Sequence, residues 1–426
     1  MMKILRAKDV PLSEILCRDI RAEANVDAQV DDIIMNVRAR GDDALLEYAE
    51  RFDRAKLSAL RVTQAEIDEA WNTTDEDFKI TLQMAHDNIA AFHSKQLTQD
   101  FVMTDKPGVV LGQRYTPIEK AGVYVPGGTA SYPSTVLMDV IPAKLAGVSE
   151  IVMVTPPGPD GKIAPAILAA AKVAGVTSIF KIGGAGAVAA LAYGTESVPK
   201  VDKIVGPGNI YVATAKRKVF GMVDIDMIAG PSEILVIADA GCSPAYVAAD
   251  LLSQAEHDRL ASAVLVTTSE RLAFAVQAEL EKQLSQLPRE AIARDSIEAN
   301  GKILLVDSLE EAAKISNEIA PEHLELSVED PFALLPSIRN AGSIFLGRNV
   351  PEALGDYFAG PNHTLPTSGT ARFSSPLGVD DFRKRSSFIY YSKDALGEVA
   401  DRIVDFARRE GLDAHARSVS IRLNKD

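Results

Sequence analysis

The sequence predicts an α/β fold with two doubly wound domains, each built on a parallel sheet. Its 426 residues, 47% of them hydrophobic, are enough for two or more domains with their own cores. From Val109 onward, short apolar runs alternate with alanine-rich helical patterns, and this alternation occurs in two successive series. Strands that alternate with helices at this spacing indicate βαβ units and therefore parallel sheets.

The region that precedes these series, from about Asp27 to Phe101, is predicted to be helical. Apolar residues recur there at spacings of three and four, which is the period of an amphipathic helix. The clearest examples are Val30, Ile33, Ile34 and Val37, followed by Leu45, Leu46 and Tyr48.

The first series contains four predicted strands, each followed by a glycine-containing turn or a helical segment. Their sequences are GVYV, EIVMVTPP, SIFKIGG and DKIVGPG. The second series contains three, namely EILVIADA, ASAVLVTTS and KILLVDS. The boundary between the series is predicted near Ala229–Gly230–Pro231, and the charged tail after Leu377 is predicted to be helical.

Composition excludes several classes of protein. The net charge of -14 would repel phosphate backbones, so a nucleic-acid partner is not expected. Cys17 and Cys242 are far apart and in no CxxC pattern, which argues against a disulfide framework or a thiolate zinc site. The N-terminus lacks an apolar signal segment, and the longest uncharged stretch, Ala121 to Met138, contains two prolines. No membrane association is predicted, and the expected location is the cytoplasm.

Six histidines are the main candidates for chemistry. His86 and His93 fall in the helical region without an acidic partner motif, and both are interpreted as ordinary residues of a helix surface. The other four lie in polar loops or at helix ends: His257, His323, His363 and His415.

The segment LLSQAEH predicts half of a metal site. Gln254 and His257 are three residues apart, so they project from one face of the same helix. A zinc site with nitrogen and oxygen ligands needs further residues, and Asp356 and His415 can supply them. Taken alone, the spacing is weak, and an exposed helix end is the favoured alternative.

The adjacent pair Glu322–His323 suits proton transfer. A carboxylate beside an imidazole can move a proton near neutral pH. The alternative, a helix-terminal pair in solvent, is equally compatible with the sequence.

Glycine turns favour nucleotide binding in the first series. Gly184, Gly186 and Ala189 mimic a dinucleotide-binding motif after a strand, but the acidic residue expected about 20 positions later is missing. Close packing of strand and helix explains these glycines equally well. The turns in GPGN and YVPGG have the same character, and three such turns favour a nucleotide at the carboxyl ends of the strands.

Seven segments in order carry a resemblance to the histidinol dehydrogenase family. They are GVYVPGG, TESVPKVDKIVGPGN, DMIAGPSEILVIAD, LLSQAEH, APEHLEL, GDYFAGPNHTLPTSGTAR and GLDAHARSVSIR. The resemblance implies a homodimer with two incomplete Rossmann-like domains and terminal segments that reach the other subunit. It also implies four segments with the bounds 1–22, 23–122 plus 233–376, 123–232 and 377–426.

The resemblance further implies a role for each site residue. Gln254, His257 and Asp356 would bind zinc with His415 of the partner subunit, and Glu322 and His323 would accept protons. The zinc ligands and His323 would also contact the substrate, and three further substrate contacts are implied: Ser232, His363 and Glu410. The implied cofactor contacts are Tyr124, Asn209 and the position of Gly186, where the family has a glutamine that contacts NAD.

The activity implied is the zinc-dependent oxidation of L-histidinol through L-histidinaldehyde to L-histidine with NAD, the last steps of histidine biosynthesis. One alternative is a related zinc and NAD dehydrogenase that acts on another primary alcohol, such as a sulfonated diol. Retention of His363 and Glu410 argues against it. A non-catalytic zinc- or nucleotide-binding protein conflicts with the intact Glu322–His323 pair, and a zinc hydrolase would not need the glycine turns.

Overall fold

The computed structural model describes residues 2–11, 15, 24–127 and 131–423. The chain forms two compact units. The large unit comprises Met1–Gln96 and Ile118–Phe382, and the small unit comprises Leu97–Pro117 and Arg383–Asp426. Among the described residues, no helix combines the length and apolar character needed to cross a bilayer.

The N-terminal part of the large unit is mainly helical, as predicted. It contains one short strand, β1 (Lys3–Arg6), and four helices, α1 (Ala24–Arg40), α2 (Asp42–Phe52), α3 (Gln64–Thr73) and α4 (Glu76–His93). The start of α3 is fixed by a capping box, in which Thr63 accepts from the backbone of Glu66 while the Glu66 carboxylate accepts from the backbone of Thr63. Asp75 caps α4 by accepting from the backbone N–H groups of Asp77 and Phe78.

A five-stranded parallel sheet follows, with the order β6-β5-β4-β7-β8. Its strands are β4 (Lys120–Tyr124), β5 (Glu150–Thr155), β6 (Ser178–Lys181), β7 (Lys203–Val205) and β8 (Asp224–Ile225). Its helices are α5 (Pro133–Ala146), α6 (Pro165–Ala174), α7 (Gly184–Tyr193) and α8 (Ile210–Val219). Left-handed glycines, Gly147 and Gly175, end α5 and α6.

A six-stranded parallel sheet has the order β1-β11-β10-β9-β12-β13. Its further strands are β9 (Glu233–Ala238), β10 (Ser262–Thr267), β11 (Lys302–Leu305), β12 (His323–Ser327) and β13 (Ser343–Leu346). The accompanying helices are α9 (Pro244–Ala255), α10 (Glu270–Leu284), α11 (Glu290–Asn300), α12 (Leu309–Ile319), α13 (Pro331–Leu334) and α14 (Glu352–Tyr357). Every residue of β9, β10 and β12 is buried, because helices cover both faces of a parallel sheet.

The small unit combines an antiparallel sheet with two helices. The sheet order is β14-β3-β2, formed by β2 (Phe101–Met103), β3 (Val109–Pro117) and β14 (Arg383–Tyr391). Two helices follow, α15 (Lys393–Arg409) and α16 (Asp413–Ser420).

The contacts divide the chain differently from the predicted segment bounds. The helices of 24–93 pack against the helices of the five-stranded sheet, α1 on α7 and α8, α3 on α6 and α4 on α5, although they were grouped with 233–376. Apolar residues such as Val30 and Ile34 share a core with α7 and α8, which explains this packing.

Both ends of the chain also differ from the predicted bounds. Strand β1 joins the six-stranded sheet through β11, so residues 3–6 of the predicted first segment belong to that sheet. The small unit takes residues 97–117 from the predicted first domain, because β3 pairs with β14. The tail therefore begins with a strand, and residues 377–382 remain in the large unit.

Candidate active site

The Glu322–His323 pair lies at the amino end of β12, which is between β9 and the edge strand β13 in the six-stranded sheet. Both side chains are buried, with 7% and 4% exposure, so the alternative of a solvent-exposed pair is wrong. Neighbouring β9 holds both side chains through its first residue, Glu233. The backbone N–H of Glu233 donates to Glu322 Oε2 at 2.9 Å, and the carbonyl oxygen of Glu233 lies 3.2 Å from His323 Nδ1.

Helix α9 brings Gln254 and His257 to the same place. Gln254 is in the last turn of the helix and is completely buried. His257 lies in the turn that follows the helix end, where its N–H donates to the carbonyl oxygen of Gln254 at 3.2 Å, and its ring is exposed. The two residues are therefore neighbours, but His257 is not on the helix as predicted. The alternative of an exposed helix end is wrong for Gln254.

Three side chains form a group that can hold a metal ion. One ligand atom each from His257, Glu352 and Asp356 lies within 4.8 Å of the other two. Glu352 and Asp356 are one turn apart on α14, which places both carboxylates on one face. The sequence analysis missed Glu352, although its spacing of four from Asp356 was a usable signal.

The amide of Gln254 joins this group. One of the two terminal atoms of the Gln254 amide faces Glu352. It lies 2.9 Å from Glu352 Oε1, 3.3 Å from Glu352 Oε2 and 3.1 Å from His323 Nδ1. A nitrogen in that place donates to all three atoms. An oxygen there needs a proton or a cation between itself and the carboxylate.

Carboxylates surround His323 on both sides of its ring. Nδ1 lies 3.7 Å from Glu322 Oε2, and Nε2 lies 3.8 Å from Glu352 Oε1 and 3.7 Å from Asp356 Oδ1. Burial lowers the pKa of His323, but the charges of these carboxylates outweigh burial and raise that pKa to about 10. Burial also raises the pKa of Glu322 to about 8 and that of Glu352 to about 7. The site therefore contains more buried carboxyl groups than positively charged groups, and a cation would stabilise them.

Two further carboxyl groups, those of Glu325 and Asp250, lie near Glu352. Glu325 on β12 accepts from the backbone N–H of Glu352 at 3.1 Å. Burial, together with the nearby carboxylate of Asp250, raises the pKa of Glu325 well above its usual range. Burial also raises the pKa of Asp250 to about 6. Asp250 precedes Gln254 by four residues on α9, a spacing that the sequence analysis left unused.

His363 lies at the edge of the same site. Its Nδ1 is 3.0 Å from the carbonyl oxygen of Asp356, and its Nε2 is 3.4 Å from Thr135 Oγ1 on α5. A cavity of about 200 Å³ is lined by three of the polar residues, His323, Asp356 and His363, and by apolar side chains that include Phe345. Polar groups at one side of an apolar pocket are typical of small-molecule sites.

Ser232 directly precedes β9 and its Glu233, and its carbonyl oxygen accepts from the N–H of Ser262 at 2.9 Å. This contact extends the pairing of β9 and β10 by one residue. It holds the backbone of Ser232 next to the residue that anchors Glu322 and His323.

The predicted cofactor residues lie at the carboxyl edge of the five-stranded sheet. Tyr124 ends β4, and its buried hydroxyl accepts from the N–H of Gly184 at 3.0 Å, at the beginning of α7. Burial raises the pKa of Tyr124 to about 12, so the hydroxyl is protonated. Asn209 caps α8, because its Oδ1 accepts from the N–H groups of Tyr211 and Val212 at 3.0 and 3.2 Å.

Gly186 is buried in the first part of α7. A Cβ at this position would lie 3.3 Å from Tyr48 Cδ2 and 3.5 Å from Leu45 Cδ2, so the glycine permits close packing of α2 on α7. The third predicted glycine turn includes residues 128–130, which lie outside the described part of the chain.

The last two predicted site residues belong to the small unit. Glu410 follows the end of α15, and His415 is on α16. Both are exposed, and they line a cavity of about 410 Å³ with apolar neighbours that include Ile403 and Phe406.

Two residues outside the site were also interpreted from the sequence. His86 lies partly exposed beside Asp87, as expected for a helix surface. The same prediction is wrong for His93, which is completely buried and has Nδ1 2.8 Å from Gln96 Oε1. Cys242 is a buried free thiol, and Cys17 lies outside the described residues.

Residues 17–423 match the family model of histidinol dehydrogenase. The chain belongs to the histidinol dehydrogenase family. The histidinol dehydrogenase of Listeria monocytogenes serovar 1/2a is 56% identical to it over the full length of both chains. That of Syntrophotalea carbinolica is 58% identical and covers 99% of both.

A solved structure supports the same assignment. The crystal structure of histidinol dehydrogenase from Elizabethkingia anophelis has a TM-score of 0.94 and 39% sequence identity, and the match covers 99% of this chain and 98% of that chain. The predicted family and the α/β fold are therefore confirmed, and the protein is an oxidoreductase.

Proposed function

We propose that the protein oxidises L-histidinol through L-histidinaldehyde to L-histidine, using a zinc ion and two molecules of NAD. One observation carries the proposal. Ligand atoms of His257, Glu352 and Asp356 lie together beside the buried Glu322–His323 pair. The names of the relatives support histidinol as the substrate, which places the reaction at the end of histidine biosynthesis, and we expect it in the cytoplasm.

The donor set fits a divalent metal ion with nitrogen and oxygen ligands. The carbonyl oxygen of Glu233 can only accept, so Nδ1 of His323, 3.2 Å away, carries a hydrogen. If the Gln254 nitrogen were the atom 3.1 Å from Nδ1, two N–H donors would face each other. We therefore infer that the amide oxygen of Gln254 lies there. That oxygen then faces a carboxylate oxygen of Glu352 at 2.9 Å, and a nearby cation would stabilise these two acceptors.

We infer that Gln254, His257 and Asp356 bind zinc together with His415 of the partner subunit. Glu352 then supplies a further negative charge in contact with the ligand group. When bound, zinc supplies a Lewis-acidic anchor for the amino alcohol, and NAD supplies the hydride acceptor. Ser232, His363 and Glu410 are the further residues that we expect to recognise the substrate.

We infer that His323 is the base for the first oxidation once a bound cation offsets the carboxylates that raise its pKa to about 10. Hydrogen bonding of Nδ1 to Glu233 leaves Nε2 as the basic atom, and Nε2 is buried with no hydrogen-bond partner among the described residues. A substrate hydroxyl placed between Nε2 and the acidic group can therefore give its proton to this nitrogen as hydride leaves.

Glu322 is the base for the second oxidation. Its carboxylate is fixed by the N–H of Glu233, and burial raises its pKa to about 8. A carboxylate with a pKa near the working pH is a stronger base than an exposed one, so it can deprotonate water for attack on the aldehyde. The cavity beside His323 has a volume of about 200 Å³ and is lined largely by apolar side chains, which suits it to hold the aldehyde.

A direct assay tests the proposal. Purified protein with L-histidinol and excess NAD should form two NADH per histidinol, followed by absorbance at 340 nm. Removal of metal by a chelator should abolish turnover, and added Zn²⁺ should restore it. A panel of primary alcohols that includes sulfonated diols is the control. A diol with a higher kcat/KM than histidinol, or turnover that persists without metal, would refute the proposal.

Half-reactions test the division of roles. Glu322→Gln should slow the oxidation of L-histidinaldehyde more than that of L-histidinol, because only the second step needs activated water. Glu329→Gln, an exposed glutamate that follows the other end of β12, is the matched control. Equal slowing of both half-reactions would refute the role of Glu322.

Mixed dimers test the shared site. We expect a homodimer in which the exposed Glu410 and His415 of one subunit complete the site of the other. Inactive His415→Asn and Gln254→Ala chains should then regain part of the activity when they are unfolded and refolded together, because one site in the mixed dimer is intact. Each variant refolded alone is the control, and no recovery in the mixture would count against the exchange.

A further inference from the structure

A buried ion pair lies directly behind the glycine turn that joins β7 to α8. Lys216, on α8, forms a salt bridge with Asp226, which follows β8, and the two side chains are 2% and 1% exposed. Lys216 Nζ also donates to the carbonyl oxygen of Gly206 at 3.0 Å. Asp226 Oδ2 accepts from the N–H of Gly206 at 2.8 Å. The pair therefore holds one glycine residue through both of its backbone polar groups.

The backbone at Gly206 leaves little freedom for this turn. Its φ of +113° is a conformation that residues with side chains rarely adopt, and a Cβ there would collide with the carbonyl oxygen of Tyr124. A Cβ at Gly208 would likewise collide with the side chain of Val212. The turn thus lies tightly against the end of β4, and its position depends on what holds Gly206.

Stability alone does not explain two buried charges at this place. Removing a lysine and an aspartate from water costs free energy that their attraction offsets only in part, and apolar side chains of similar size often stabilise a fold equally well. The distinctive property of the pair is the geometry that it imposes on Gly206. A second hydrogen bond, from the N–H of Met227 to Asp226 Oδ1 at 2.6 Å, fixes the carboxylate itself.

We propose that Lys216 and Asp226 are positioning residues that hold the 206–209 turn in the form that binds the coenzyme. This inference rests on the proposed function, since it assigns the turn and the beginning of α8 to NAD. Asn209, at the end of the turn, uses its Oδ1 to cap α8, so the turn sets the place of both the Asn209 side chain and the first N–H groups of the helix. Neither Lys216 nor Asp226 needs to touch NAD.

The main test is Asp226→Asn, which keeps the shape of the side chain and removes the ion pair. The KM for NAD and the Kd for NADH, measured by fluorescence titration, should rise about tenfold, which corresponds to about 1.4 kcal/mol. The KM for histidinol and the zinc content should not change, because the metal group lies on the six-stranded sheet. Lys218→Met, which removes a partly exposed lysine of the same helix, is the matched control and should leave all values unchanged.

A second variant covers a failure to fold. Lys216→Met combined with Asp226→Leu replaces the pair with apolar side chains, so no uncompensated charge remains buried. It should be folded and should show the same weakening of NADH binding. Hydrogen exchange of the free protein gives a readout besides activity, and the amides of residues 206–212 should exchange faster in both variants than in the control.

The outcomes separate the two claims. A wild-type protein that binds no NADH would refute the proposed function. If the wild-type protein binds NADH, unchanged coenzyme affinity or unchanged exchange at 206–212 in folded variants would overturn the positioning role. An equal loss of coenzyme binding, histidinol binding and zinc would also overturn it, because it would indicate a general structural role.

Discussion

The buried carboxyl of Asp139 makes stability depend on pH in a way that a single substitution should remove. Asp139 lies on α5, next to the site, and is completely buried. Its Oδ1 accepts from Thr364 Oγ1 at 2.7 Å, whereas Oδ2 has no partner in the described part of the chain. Burial raises the pKa of Asp139 from 3.8 to about 8, so the folded protein holds this side chain neutral at pH 7.

The sign and the size of the effect follow from this shift. Above about pH 4 the unfolded chain releases the proton that the folded chain keeps, so the free energy of unfolding falls as the pH rises from about 4 to about 8. Each pH unit costs about 1.4 kcal/mol, which gives an upper value of about 5 to 6 kcal/mol over the range. Above pH 8 both states are ionised, and this contribution stays constant.

Asp139→Asn should remove this dependence, because an amide does not titrate and its oxygen can still accept from Thr364. The free energy of unfolding of the variant, relative to the wild type, should therefore increase with pH between 5 and 7. Urea unfolding at several pH values measures it. The fluorescence of Trp71, the single tryptophan, reports on it because Trp71 packs against the core that contains α5.

The exposed Asp160 of the same domain provides the control. Asp160→Asn should leave the pH dependence of the wild type unchanged, since that carboxyl is in water. Stability curves for Asp139→Asn and the wild type that stay parallel from pH 5 to 7 would refute the reasoning, because they would mean that the folded protein holds the Asp139 carboxylate ionised.

Three further predictions concern the site. His257→Asn should lower zinc content and histidinol oxidation together, the latter by about 100-fold or more, and full activity without metal would contradict it. Glu352→Gln should weaken zinc binding by about tenfold to 100-fold in competition with a chelator, because it removes a buried negative charge, and unchanged affinity would contradict that role. Gly186→Gln should lower the KM for NAD about fivefold, because the glutamine would add one net hydrogen bond to the coenzyme once the Tyr48 side chain shifts slightly. An unchanged KM would argue against a contact at this position.

The fold could be predicted where burial leaves a pattern in the sequence. Seven strands of the two parallel sheets were identified from short apolar runs, namely β4, β5, β6, β7, β9, β10 and β11. Strands β1, β8 and β13 were not predicted, and β12 was recognised only as the position of the Glu322–His323 pair. The strands of the small unit left no such signal, because all of β2 and nearly all of β14 are exposed. The pairing of β1 with β11 joins residues about 300 positions apart, and no local feature of either segment indicates it.

As with the fold, the parts of the site that depend on residues close in sequence could be predicted, and those that depend on distant residues could not. Spacing within one segment revealed Gln254 with His257 and Glu322 with His323. The acids that surround them, Glu325 and Asp250, are ordinary charged residues in the sequence, and only the meeting of β12, α9 and α14 makes them buried neighbours. A buried carboxylate indicates a special role because its burial costs free energy. The sequence alone does not show which carboxylates are buried.

The Glu322–His323 pair lies at the opposite end of its strand from the usual ligand position in a parallel sheet. Ligands of open α/β sheets usually bind at the carboxyl ends of the strands, where the glycine turns after β6 and β7 lie. Glu322 and His323 lie instead at the amino end of β12, next to Glu233, the first residue of β9. The N–H and the carbonyl oxygen of Glu233 hold the carboxylate and the imidazole at 2.9 and 3.2 Å. The beginning of a strand can therefore orient a carboxylate and an imidazole, and His363, which lines the same cavity as His323, lies 3.4 Å from Thr135 Oγ1 on α5.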